Sequence, residues 1–466
     1  MLDSIEARNL VEAAVPGAKQ ESLSSDVIAI SGLTLAVALY YFADSLWLSL
    51  LAAVLFTLIA VRRIDLALIF VILSSPFYLF PKYFGSLSFS LSEFCVLSCG
   101  LAAIWLGVLE TIHRGLTHAA RALLQFLTTE LKRPVVLFLI ASSLSLFASD
   151  YLKYSLREYR TVVIEPALFY FVMTAYVTEQ KQVWRLVNAF LLLSVGVALF
   201  SLFHYYFVGL VESTDGVRRV LAVYHSPNAL SLFLGRSAPM LVALALFYPA
   251  RGGTGRRVLY ALGSLAVLAC LYITYSRGAW LGIAAALVFV ALIRGRRYVL
   301  WTGGVVVCAL LALIPLVGVD RLLSRTASMG RLYLWQSALA MIRDHPFMGV
   351  GLDNFLYQYP RYILKEAWAE PNVSHPHNIV LDFWTRIGVL GVAALVWLQI
   401  RFWQSGLSVY RGAANDRIGI LALALMSSMV SLLAHGLIDN SFFLIDLAIA
   451  FWLIYGSIET LKKEAT

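Results

Sequence analysis

Apolar stretches of roughly 20 residues recur along this chain, and each is about long enough to cross a bilayer as a helix. The candidate spans are 27–43, 46–61, 65–80, 93–109, 134–149, 161–178, 186–207, 227–249, 258–275, 279–293, 298–317, 379–400, 417–435 and 443–459. Hydrocarbon offers no partner for a backbone N–H or C=O, so such segments fold as helices that satisfy their own hydrogen bonds. Composition agrees. Of 466 residues 60% are hydrophobic and only 14% are charged, whereas a soluble protein of this length needs more charge to cover its surface. Mean hydropathy is +0.80. The expected fold is an all-α, polytopic membrane protein. Several runs are short, so the expectation is about 12–14 transmembrane helices and a large, partly helical loop.

Residues 1–26 are polar and mixed in charge, without the basic start and short apolar core of a signal peptide. They read as a cytoplasmic N-terminal segment, followed by a transmembrane region over 27–318, an external loop over 319–378, and C-terminal spans with a short tail over 379–466. With the N-terminus inside, 21 of the 36 Lys and Arg fall on the cytoplasmic side, including every compact basic turn. This distribution accounts for the net charge of +9 without nucleic acid. Cys95, Cys99, Cys270 and Cys308 all lie in apolar runs and read as small core residues, with no structural disulfide.

The outer cations carry more information. They include Lys153, Arg157, Arg160, Arg218, Arg219, Arg277, Arg331 and Arg361, on the side where membrane proteins hold fewer such residues. An anionic ligand explains the group, because guanidinium pairs with phosphate bidentately. For any single arginine, lipid headgroup contact is the alternative. Arg277 in Tyr275-Ser276-Arg277-Gly278 stands at a tight outer turn, where it either snorkels to the interface or serves a site.

The loop opens with apolar residues at helical spacing from Arg331 to Ile342, an amphipathic helix that His345-Pro346 ends. A second helical stretch is expected around 353–368, with Tyr357, Tyr359 and Tyr362 as interfacial or sugar-stacking residues. Ser374-His375-Pro376-His377-Asn378 closes the loop and places His377 at the start of the next span. A neutral histidine there accepts a proton as general base; the alternative is a helix-capping role. His-Pro-His is weak as a zinc motif, because zinc needs a third and usually a fourth ligand, and no metal site is assigned. Asp382 and Arg386 form an i, i+4 pair. His435 and Asp439 share a face, with Asp439 orienting a base, binding a sugar hydroxyl or forming an ordinary turn. Glu165 reads as an ion-pair partner of the nearby arginines or as part of the site.

Taken in order, Tyr275-Ser276-Arg277-Gly278, Arg331 with Trp335 and Ala338, His345-Pro346-Phe-Met-Gly349-Val-Gly351-Leu-Asp-Asn354-Phe355, His375-Pro376-His377-Asn378 and His435-Gly436-Leu-Ile-Asp439-Asn440 resemble the O-antigen ligase and polymerase superfamily. The resemblance covers roughly residues 220–450. It implies a glycosyltransferase of the bacterial inner membrane, with its active site facing the periplasm. The donor would be a glycan on undecaprenyl diphosphate and the acceptor lipid A–core, with membrane lipids around it and no nucleic acid or cofactor. Arg277 and Arg331 match the family's essential arginines, His377 its essential histidine and Asp439 its late acidic position. Arg157, Arg160, Arg218, Arg219 and His375 complete the expected substrate-binding set. A repeat-unit polymerase and a protein O-oligosaccharyltransferase share this donor and similar motifs. A lipid-glycan flippase is the alternative of a different class, although it would place its charges near mid-span rather than at the outer helix ends.

Overall fold

The computed structural model describes residues 23–465 except 86, 210, 215–216, 222, 250–252, 296, 299, 301–324, 369–371 and 415. The span expected over 298–317, Cys308, most of the N-terminal segment and the start of the loop therefore lie largely outside the described residues.

The molecule is an all-α, multi-pass membrane protein. Among the described residues, eight helices are long and apolar enough to cross a membrane: Ser24–Phe42, Leu91–Arg114, Gln180–Val208, Pro227–Phe247, Thr254–Thr274, Arg277–Arg294, Ile379–Gly412 and Arg417–Gly436. Leu46–Arg62, Ile64–Leu79 and Arg133–Ala148 are shorter apolar helices. Glu165–Tyr176 and Ile445–Ala465 account for two further expected spans. Pro227–Phe247 and Arg417–Gly436 are the most enclosed of these eight, with 78% of their apolar windows buried against 22% for Ser24–Phe42. These two pack with Thr254–Thr274 and Arg277–Arg294 into one group.

Four helices begin at the same end of the bundle with a side-chain cap, and each cap satisfies an otherwise orphan N–H. Ser90 and Glu93 form a reciprocal capping box on Leu91–Arg114. Ser226 accepts from Ala229 N at 3.1 Å, Ser276 from Ala279 N at 3.4 Å, and Asn378 from Val380 N at 3.0 Å. Two short antiparallel hairpins, Lys82–Phe84 with Leu87–Phe89 and Val211–Thr214 with Val217–Val220, were not anticipated from hydropathy.

The loop is fastened rather than free. Its first helix, Arg325–Asp344, buries Leu334, Ala338 and Met341 against Val350, Phe355 and Tyr359. The second expected helix is instead a broken series: Phe355–Gln358, then single turns over Tyr359–Arg361 and Lys365–Ala367. Pro360 and the short fixed turns prevent a continuous ladder. Between them the 345–351 turn docks into a break in Ile379–Gly412. Gly388 there has φ 71°, and a Cβ on it would stand 1.9 Å from the Phe347 carbonyl oxygen. The freed backbone groups pair across the junction, with Val389 N donating to Pro346 O at 3.1 Å and Val350 N to Thr385 O at 2.7 Å.

Candidate functional site

A cavity of about 430 Å³ opens at the capped end of the bundle. His375, His377 and Asp439 form one part of its lining, Arg157, Glu158 and Arg160 another, and Glu93, Asn228 and Asp353 also reach it. The two capping serines Ser90 and Ser226 line it as well, so two helix N-termini bring their positive ends to the cavity.

His377 is held by geometry that sequence alone does not give. Its backbone is left-handed, φ 49°, a conformation that costs a non-glycine residue on the order of 1 kcal/mol. Asn378 rather than His377 caps the following helix, and its side-chain amide donates to Leu437 O at 3.0 Å. This ties the His-Pro-His turn to the segment carrying Asp439. His377 Nδ1 then meets Asp439 Oδ1 at 2.7 Å. A carboxylate only accepts, so Nδ1 carries the proton and, in the neutral ring, Nε2 carries the lone pair. His375 Nε2 lies 3.5 Å from the same oxygen, and Asn440 N donates to it at 2.9 Å.

Burial raises the Asp439 carboxyl, but hydrogen bonds from His375 and His377 outweigh it and hold the group well below the usual carboxylate range. Burial lowers His375, and the adjacent His377 lowers it further. Burial raises Asp353 against the opposing pull of Arg386. Beneath this cluster His435 is fully buried, with Nε2 3.9 Å from Asp439 Oδ2. It occupies a notch left by Gly278, where a Cβ would stand 2.3 Å from the imidazole Cδ2.

The cavity's cations differ in their commitments. Arg160 pairs with Glu93 at 2.8 Å and lies 3.9 Å from Glu165, so Glu165 belongs to an ion cluster at the cavity edge. Arg386 is buried and bound to both Glu158 oxygens at 2.6 Å and to Asp382 at 2.7 Å, the expected i, i+4 pair. Arg157 lines the cavity with no salt bridge among the described residues.

Five of the nine sequence candidates therefore meet at the cavity: His377, His375, Asp439, Arg157 and Arg160. Arg277, Arg331, Arg218 and Arg219 do not line it. Arg277 begins its helix beside the Gly278 notch, and Arg331 lies within electrostatic range of His435. Arg219 donates to Thr274 O at 2.8 Å and to Asn228 Oδ1 at 2.7 Å, linking the Tyr275–Gly278 turn to the cavity wall. Arg218 sits over the Tyr205 ring at 5.7 Å. Glu93, Glu158, Asp353, Asn228 and Asn440 were missed. Glu158, between two outer arginines, and Asp353 and Asn440, inside the quoted motifs, carried a usable signal; Glu93 and Asn228 have no local pattern that marks them. His375, His377 and Asp439 place three possible ligand atoms within 4.8 Å of one another, so Asp439 supplies a third donor that the sequence did not reveal.

The O-antigen ligase family model matches residues 262–396. An O-antigen ligase of Salmonella typhimurium (strain LT2) is 24% identical over 54% of this chain. Both similarities are to O-antigen ligases, and the family match falls in the part of the chain that carries the loop and its flanking spans. The similarity spans 65% of the Salmonella protein's length. Within the family match lie Arg277, Arg331, Asp353, His375 and His377, whereas Arg157, Arg160 and Asp439 lie outside it.

Proposed function

We propose that the protein is a ligase that moves O-antigen glycan from undecaprenyl diphosphate to lipid A–core at the periplasmic face of the inner membrane. The observation that carries this reading is His377, oriented through Nδ1 by Asp439 at 2.7 Å in a cavity that Arg157 and Arg160 also line. That pairing joins a general base to cations suited to a diphosphate. The family similarity supports the same class of chemistry.

In the proposed reaction the acceptor hydroxyl attacks the anomeric carbon from the face opposite the diphosphate. The new C–O bond forms as the anomeric carbon–oxygen bond to phosphate breaks, which inverts the configuration. His377 Nε2 takes the hydroxyl proton. Arg157 and Arg160 stabilise the departing lipid diphosphate from the cavity wall, and Arg277 and Arg331, which lie outside the lining, are assigned to the same charge on the family resemblance alone. Fixed guanidinium groups would supply the charge that a divalent ion supplies in other transferases, so the reaction is proposed to be metal-independent. The His375–His377–Asp439 cluster makes that a point to test.

The test is a reconstitution with lipid-diphosphate-linked glycan and lipid A–core, without nucleotide, in EDTA. Wild type should yield glycan-bearing lipid A–core, and His377→Ala and Arg277→Ala should not. Loss of activity in EDTA, restored by added zinc, would overturn metal independence. Lengthened donor chains would instead indicate a polymerase. An inactive wild type that moves the lipid-linked glycan across proteoliposomes would replace transfer with transport.

A further inference from the structure

Beside the cavity, two segments some 200 residues apart are pinned together. Asn354 is fully buried. Its Oδ1 accepts from Tyr151 N at 3.0 Å, and its Nδ2 donates to Ser155 Oγ at 2.6 Å and Leu352 O at 2.7 Å. Gln358 Nε2 donates to Asp150 Oδ2 at 2.6 Å.

This clamp lays one tyrosine against two others. The Tyr357 ring stacks on Tyr151, centroids 4.4 Å apart and planes 25° apart, and on Tyr154 at 5.0 Å and 24°. Tyr151 and Tyr154 are 41% and 39% exposed. The tier adjoins the cavity through both segments: Tyr154 is one helical turn before Arg157, Tyr357 lies four residues after Asp353, and Arg157 and Asp353 both line the cavity. Its edge carries Asp150, Gln358 and Arg361. Arg361 donates to Gln358 Oε1 at 3.0 Å and lies 3.7 Å from Asp150.

Tyrosines that merely anchor a protein at a membrane surface need an apolar body and a wet tip, and no mutual stacking. A pyranose asks for more: a flat apolar surface for its C–H face and planar donors and acceptors around the edge for its hydroxyls. We infer that Tyr151, Tyr154 and Tyr357 form a glycan-binding platform that takes a pyranose ring of a saccharide chain whose reacting end lies in the cavity. The inference rests on the transferase reading for which chain that is. Donor glycan and acceptor core share the recognised chemistry.

The experiment measures saccharide binding without turnover. Full-length protein in lipid nanodiscs is titrated by saturation-transfer NMR with lipid-free core oligosaccharide and, separately, with lipid-free O-polysaccharide fragments. Wild type, Tyr154→Ala, Tyr357→Ala and Tyr357→Phe are compared, each checked for an unchanged Tm. Removing a ring should raise the Kd for one saccharide roughly ten-fold, while Tyr357→Phe stays within about two-fold, because Tyr357 supports the other two rings through its ring rather than its hydroxyl. The responding saccharide assigns the platform to acceptor or donor. Absence of binding to wild type, wild-type affinity in both alanine variants, or equal loss in Tyr357→Phe and Tyr357→Ala would overturn the platform. Binding that responds as expected alongside a failed transfer assay would overturn the ligase reading and leave the platform standing.

Discussion

Asp439 decides which nitrogen of His377 is left to accept a proton, so its charge matters more than its shape. Asparagine at 439 can still accept from Nδ1 and from Asn440 N, but it lacks the charge that would stabilise the imidazolium in the proposed proton transfer. Asp439→Asn should lower kcat/KM for glycan transfer on the order of 10²-fold or more with little change in Tm, checked by steady-state kinetics beside thermal unfolding. The same cluster fixes a pH dependence of stability. His375 is lowered in the folded protein, so the unfolded chain takes up its proton first, near the ordinary value of 6.5. Stability from this residue is therefore complete above about pH 6.5 and declines as pH falls toward its folded value. Asp439 is also lowered, but its contribution is lost only below the ordinary carboxylate value of 3.8. Tm measured from pH 7.5 to 5 should fall more steeply in wild type than in His375→Gln. A slope that persists unchanged would assign it to another group. His377 and Asp439 were legible as residues because each sits in a dense polar motif at a span end. Their contact was not, since 62 residues separate them and nothing local encodes the pairing.

At the scale of elements, hydropathy located the described apolar helices, because burial in lipid demands a long apolar run whatever the tertiary contacts, but not the shorter Leu116–Leu127 and Leu152–Glu158. It could not locate the break at Gly388, which lies inside an apolar run and exists only because the 345–351 turn fills it. Nor could it show that 353–368 breaks into single turns, since the periodicity there reflects burial of Phe355 and Tyr359 rather than a continuous helix. The Gly388 junction makes a sharp prediction. Alanine there meets both a left-handed backbone and a carbonyl oxygen 1.9 Å from its Cβ, so the turn must leave. Gly388→Ala should cost roughly 3 kcal/mol or more and expose the loop to limited proteolysis, whereas Gly412→Ala, where nothing lies within 4 Å, should leave the digestion pattern of wild type. Gly278→Ala acts on a smaller scale, pushing on His435 through a contact of 2.3 Å. It should reduce transfer with only a modest loss of Tm, measured in the same reconstituted assay.

The cavity belongs to the whole molecule. Arg157, Glu158 and Arg160 come from the amino-terminal half, His375 and His377 from the loop end, and Asp439 and Asn440 from the turn before the last helix. Their spacing depends on how the first half of the bundle is tied to the last helix, and a buried polar clamp makes that tie. Lys132 and Glu459 pair with 0% and 1% side-chain exposure, Tyr170 OH donates to Glu459 Oε2 at 2.5 Å, and Lys463 approaches Glu459 at 3.1 Å. An unpaired charge in such a place is worse than no charge, so the partners should respond unequally. Glu459→Leu strands the Lys132 ammonium and should cost about 3–5 kcal/mol. Lys132→Met leaves Glu459 with Lys463 and Tyr170 and should cost less. The double variant, with both charges gone and the volume kept apolar, should recover most of the stability lost in Glu459→Leu. A double-mutant cycle on Tm in detergent measures this, and transfer activity in the same preparations reports on the cavity. If activity follows stability through all three variants, the clamp sets the spacing of Arg157 and Asp439. If Glu459→Leu loses stability while keeping wild-type activity per folded molecule, the clamp holds the bundle together and the site is positioned by the loop contacts alone.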